Sequence, residues 1–89
     1  MSPYFVYILQ SSCSGKFYVG STADLTDRIQ RHNKGRSPAT LAGRPWQLVY
    51  TEEFSLRTEA VRRELTLKGW KSHDRLAKLI AKGQTSPVG

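Results

Sequence analysis

An 89-residue chain has room for one domain with one modest core, and an apolar fraction of 38% with nine aromatic residues belongs to a folding chain rather than a disordered one. No run approaches the roughly 20 apolar residues that span a bilayer, the N-terminal MSPYFVYILQ carries no secretory signal pattern, and the single cysteine, Cys13, excludes an internal disulfide and a zinc cluster, so a cytoplasmic location is expected. The net charge of +7 is uneven: residues 28–45 hold five cations and no acid, residues 62–83 are again strongly basic, and residues 46–61 between them are mildly acidic, a distribution that suits a polyanion-facing side as well as an ordinary soluble surface.

YFVYILQ (4–10) is β-branched and aromatic and reads as a strand. SSCSG (11–15) is a turn cluster with Ser14-Gly15 at its bend, and KFYVG (16–20) is a second strand, completing a hairpin. Alternation puts Tyr7 on one face with Phe5 and Leu9, and Tyr18 on one face with Lys16 and Gly20. Gly20 permits close backbone approach where the second strand ends. STADLTDRIQRHNKG follows as a helix, with Thr22 or Asp24 as its N-cap and Gly35 just past its end. Leu25 and Ile29 form its buried stripe, and Arg28 and His32, also four apart, share the neighbouring stripe. RSPATLAGRP (36–45) reads as a long loop of small, polar and basic residues. WQLVYTEEF (46–54) is a third strand in which Trp46, Leu48 and Tyr50 alternate against Val49. Ser55 is placed to cap a helix through LRTEAVRRELTLK that ends near Gly69, with Ala60, Glu64 and Lys68 on one line and Val61 and Leu65 on the next. A last helix after Ser72 has Leu76, Leu79 and Ile80 as its apolar positions and Gly83 as its stop. The order is ββαβα plus a C-terminal helix: an α/β sandwich forming a single domain over 1–83, with a flexible tail at 84–89.

Taken singly, the polar residues have ordinary readings. Tyr7 and Tyr18 suit a cross-strand aromatic pair, and Arg28 suits a helix pair with Asp24. His32 suits a helix C-terminus, and Glu64 with Lys68 suits a surface pair in the favourable order. Trp46 and Trp70 read as core closures rather than base-stacking platforms.

Taken together they resemble the GIY-YIG nuclease superfamily. Phe5-Val6-Tyr7 stands for the first motif, with phenylalanine in the place of its glycine, and Tyr18-Val19-Gly20 stands for the second. The Arg28–His32 helix and a glutamate on the next helix complete the likeness, which covers about residues 4–80 and is similar to the short stand-alone bacterial YhbQ-like members. The resemblance implies a small sandwich with a three-stranded antiparallel sheet flanked by helices. It also implies a metal-dependent endonuclease that hydrolyses DNA phosphodiester bonds with low sequence specificity or structure selectivity, in DNA repair or recombination. On this reading Tyr7, Tyr18, Arg28 and His32 are catalytic, Glu64 holds Mg²⁺ or Mn²⁺, and Gly20 is a structural motif residue. Arg28 offers a planar fork that matches phosphate oxygens, whereas a tyrosine of ordinary pKa, about 10, is a poor base at neutral pH without help from its surroundings. Lys16, Arg31, Lys34, Arg36, Arg44 and Lys68 are the candidate nucleic-acid contacts. The expected partner is DNA, branched and single-stranded forms included, and a homodimer or accessory protein stays open. The alternative is a nucleic-acid-binding module of the same fold without significant turnover.

Overall fold

A computed structural model describes residues 3–36 and 38–84. The strands are β1 (Tyr4–Ser11), β2 (Phe17–Thr22) and β3 (Trp46–Phe54), and the helices are α1 (Leu25–Asn33), α2 (Arg57–Gly69) and α3 (His73–Gln84). The sheet is antiparallel in the order β2-β1-β3, so β1 is central and β2 is an edge. This is the expected small α/β fold. Of the expected tail, Gln84 ends α3 and residues 85–89 lie outside the described residues.

Period-two alternation along β1 builds two cores, one on each face of the sheet. Val6 and Ile8 join Val19, Ala60, Leu67 and Ile80 beneath α2 and α3. Tyr7 and Leu9 join Trp46 on the other face, where Tyr18, Leu25 and Ile29 pack against them from β2 and α1. The hairpin closes as its composition predicts. Ser11 Oγ accepts from the amides of Cys13 and Ser14, and Gly15 takes the left-handed φ of 76° that the turn requires. Asp24 is the N-cap of α1, its side chain accepting from the Asp27 amide, and Ser72 Oγ accepts from the Arg75 amide at the start of α3.

Three local expectations are corrected. Residues Pro38–Gly43 wind into a 3₁₀ helix instead of an open loop, held by the Trp46 indole donating to the Thr40 carbonyl and by Ser11 Oγ donating to that of Gly43. The N-cap of α2 is Leu56, with no side-chain cap, because the phase that buries Ala60 and Leu67 against the sheet starts the helix at Arg57, and a cap is worth only about 1 kcal/mol. Val61 and Leu65 accordingly lie exposed. In β3, Leu48 pairs with Leu9 but Tyr50 pairs with Ile8, so Val49 is the extra residue of a bulge. That bulge sends Tyr50 to the same core as Val49 and leaves Trp46 in the other. Tyr50 then donates to Glu52, which Arg63 of α2 grips through Nε and a second guanidinium nitrogen at 2.9 and 3.0 Å. Burial pushes the Glu52 carboxyl up, but the hydrogen bonds from Arg63 and Tyr50 outweigh it and hold the group below the usual carboxylate range.

Candidate active site

The polar residues singled out in the sequence converge on β2. Tyr7 stands opposite Gly20 in the register, and its ring crosses β2 at that point: a Cβ on Gly20 would lie 2.5 Å from Tyr7 Cζ. Gly20 is therefore a clearance for the tyrosine, and its role as a motif residue is steric.

Tyr7 is 1% exposed, and its hydroxyl lies 3.0 Å from His32 Nε2. His32, itself buried, lies 2.7 Å from Thr40 Oγ1 through Nδ1. A chain of three buried polar groups thus links β1, α1 and the 3₁₀ helix. His32 is not the solvated, dipole-stabilising residue of the plain helix reading. Burial lowers its pKa, and the Arg28 charge lowers it further, so the ring is neutral near neutral pH. A neutral imidazole carries one donor and one acceptor, and the chain provides a partner for each.

Burial also pushes the Tyr7 phenol up, to about 12, helped by Tyr18 and Glu64 and opposed by the charge and a hydrogen bond of Arg28. Tyr7 is therefore held as a phenol. Arg28 is half-buried and makes no ion pair among the described residues. The pair with Asp24 does not form: Asp24 caps the helix, while Asp27 takes Arg31 at 3.0 Å. The Tyr18 ring sits 4.9 Å from His32 in an edge-on arrangement and 6.4 Å from Tyr7. Its hydroxyl has no hydrogen-bond partner among the described residues.

Glu64 approaches from α2. It accepts from Ser21 Oγ at 2.5 Å and from Lys68 Nζ at 2.6 Å, and its side chain is 17% exposed. Lys68 also lies 5.9 Å over the Tyr18 ring. Among the described residues no three His, Cys, Asp or Glu side chains converge on one point. That donor set does not fit a cage of protein ligands. It fits a hard divalent cation held by one carboxylate, with water and substrate oxygens supplying the rest.

Two open clefts adjoin the cluster. One, of about 480 Å³, is polar and has Ser21, Thr22, Arg28, Arg31 and Arg57 on its walls. The other, of about 400 Å³, lies beside Tyr18 and Lys68 and is also bordered by Lys16. Of the expected nucleic-acid contacts, Lys16, Arg31 and Lys68 face these clefts. Lys34 and Arg36, beyond the end of α1, and Arg44, just past the 3₁₀ helix, are exposed and line neither. Sequence reasoning missed Ser21, Thr40 and Arg57, and also Lys71, which borders the second cleft. Ser21 adjoins the second motif and Arg57 opens α2, but nothing local marks Thr40. Cys13 is a free, exposed thiol whose Sγ donates to the Arg44 carbonyl.

Comparison with known proteins gives a consistent result. The family described as the GIY-YIG catalytic domain matches residues 3–77. A UPF0213 protein of Staphylococcus saprophyticus is 37% identical over 84 residues, covering 93% of this chain and 100% of its own. A UPF0213 protein of Staphylococcus aureus is 35% identical over 77 residues, covering 85% and 93%. The solution NMR structure of a UPF0213 protein from Bacillus halodurans superposes with a TM-score of 0.58 at 34% identity, covering 93% of this chain and 88% of that one.

Proposed function

Because the chain belongs to the GIY-YIG catalytic domain family, a nuclease-type family, we propose that it is a metal-dependent endonuclease that hydrolyses DNA phosphodiester bonds, with low sequence specificity or a preference for a DNA structure, in DNA repair or recombination. The observation that carries this reading is the convergence of Tyr7, Tyr18, Arg28, His32 and Glu64, from two strands and two helices, on one strip of β2. A cytoplasmic setting agrees with the free thiol of Cys13. No helix among the described residues is long and apolar enough to cross a membrane.

Hydrolysis requires an activated water, a grip on the phosphate and charge relief on the leaving oxygen. Arg28 offers a permanently charged fork to the phosphate oxygens. Glu64 would hold Mg²⁺ or Mn²⁺, which when bound supplies Lewis-acid stabilisation to the phosphate. For that, Lys68 must turn from Glu64 toward the substrate. Tyr7, with a pKa of about 12, does not act as a free tyrosinate. It relays instead: as the phenol oxygen takes a proton from the attacking water, its own proton passes to Nε2 of neutral His32, while Nδ1–H is held by Thr40. The free Tyr18 hydroxyl orients the phosphate or the water. The low His32 pKa keeps the acceptor unprotonated at neutral pH.

Nicking of supercoiled plasmid and of a branched oligonucleotide with Mg²⁺, Mn²⁺ or EDTA tests the proposal. Wild type should cut only with metal, while Glu64→Ala and Arg28→Ala, folded and purified identically, should fall at least about a hundredfold, the scale of one lost transition-state contact. Full activity in either folded variant would sink the site assignment. No cutting by wild type, with salt-sensitive DNA binding intact, would make the chain a binding module.

A further inference from the structure

β2 and α2 lie side by side in opposite directions, because Ser21 meets Glu64 while Tyr18 meets Lys68. Glu64 therefore sits midway along a seam with a cleft at each end. The cleft at the Ser21 end holds three arginines, Arg28, Arg31 and Arg57. The groove at the Tyr18 end differs in kind. Lys16, Lys68 and Lys71 stand on its rim, and the half-buried Phe17 and Leu76 supply apolar walls over the buried Leu67. Lys16 and Lys71 make no ion pair among the described residues, so their charge is available. Beside them the exposed His73 ring stacks on Phe17 at 4.3 Å and 15°, covering one face of that ring and presenting its own outer face. The volume, about 400 Å³, is that of pockets which hold small molecules, about 300–1,000 Å³.

A cationic rim over an apolar, aromatic floor complements one chemical unit, an anionic phosphate joined to a flat base. We propose that this groove holds one unpaired nucleotide of the substrate strand, with the base against Phe17 and Leu76 and a phosphate between Lys16 and Lys71. Single-stranded or locally unwound DNA is then the substrate class, an inference that rests on the nuclease reading of the adjoining cluster. A paired base cannot use the groove, because its faces are occupied in the stack. Phosphate contacts alone would give the opposite preference, since a duplex carries the higher charge density.

The test is fluorescence anisotropy in EDTA, so that no cutting is needed. Wild type and a Lys16→Gln/Lys71→Gln variant, which keeps side-chain length and removes both charges, are each titrated with three probes: a labelled single strand, the blunt duplex of the same sequence, and the same strand carrying abasic sites. Wild type should bind the single strand about tenfold or more tighter than the duplex or the abasic strand, as one stacked base is worth. The variant should lose about tenfold on the single strand, with a salt dependence shallower by about 0.7, the share of the one phosphate the two lysines hold. Equal or tighter duplex binding, an abasic strand bound as well as the intact one, or a variant that binds the single strand like wild type would each overturn the proposal. Absence of metal-dependent cutting would instead count against the nuclease reading and leave the groove result standing.

Discussion

At the residue scale the informative feature is the Tyr7–His32–Thr40 chain. Both imidazole nitrogens are engaged, at 3.0 and 2.7 Å, and among the described residues no buried side-chain nitrogen or oxygen lacks a partner. Thr40→Val removes one hydroxyl, frees Nδ1 and leaves the carbonyl that holds Trp46 in place. It should destabilise the fold by about 1–3 kcal/mol, the cost of a buried polar group without its partner. It should also slow cutting while leaving DNA affinity unchanged, because Thr40 acts through the histidine. Chemical denaturation, cleavage kinetics and DNA titration measure the three effects, and unchanged ¹⁵N shifts of the His32 ring would remove Thr40 from the relay. The depressed pKa of His32 has its own consequence. Below about pH 6.5 the unfolded chain protonates this histidine while the folded chain resists, so the unfolded state binds more protons and stability rises with pH in that window. Stability should therefore fall as pH drops from about 6.5 toward the lowered folded value, and His32→Gln should flatten that part of the curve. Melting temperatures between pH 7 and 5 decide this.

At the element scale, strand β2 organises the site, and Gly20 is its narrowest point. The Tyr7 ring occupies the space a side chain would fill, so Gly20→Ala must push aside either the tyrosine or the strand. The expected cost is about 1–3 kcal/mol of stability, as for other overpacked positions. Cutting should fall further than that loss explains, because Tyr7 is displaced from His32. A variant with wild-type stability and activity would show that Tyr7 has another place to go. Phe5, in the place of the first motif's glycine, pairs with Thr22 two residues before Tyr7, away from the crossing. Helix α2 contributes to the site by phase. With Ala60 and Leu67 turned into the core, Glu64 is carried to Ser21 and Lys68 to Tyr18.

At the scale of the whole molecule, the described residues hold one such cluster, and on the proposed function a single site cuts one strand at a time. Supercoiled plasmid should pass through open circle before linear DNA accumulates. Linear product formed directly would mean that two copies act together, and gel time courses distinguish the two. The elements were legible in the sequence because they rest on local periodicity: alternating β-branched and aromatic strands, a turn centred on Gly15, and helices with Leu25/Ile29 and Leu76/Ile80 stripes. So were the family likeness and five of the polar residues, since motif spacing survives in the linear chain. Tertiary structure decided the rest. The bulge at Val49, the 3₁₀ helix at Pro38–Gly43 and the start of α2 at Arg57 are settled by packing between elements, which outweighs cap and loop preferences of about 1 kcal/mol. Burial of His32 against Thr40, and with it the direction of the His32 and Tyr7 pKa shifts, depends on solvent exclusion by segments far apart in the chain. Spacing could name Arg28 and His32 as neighbours on a helix. Only the folded sheet sends the guanidinium to the open cleft and the imidazole into the core.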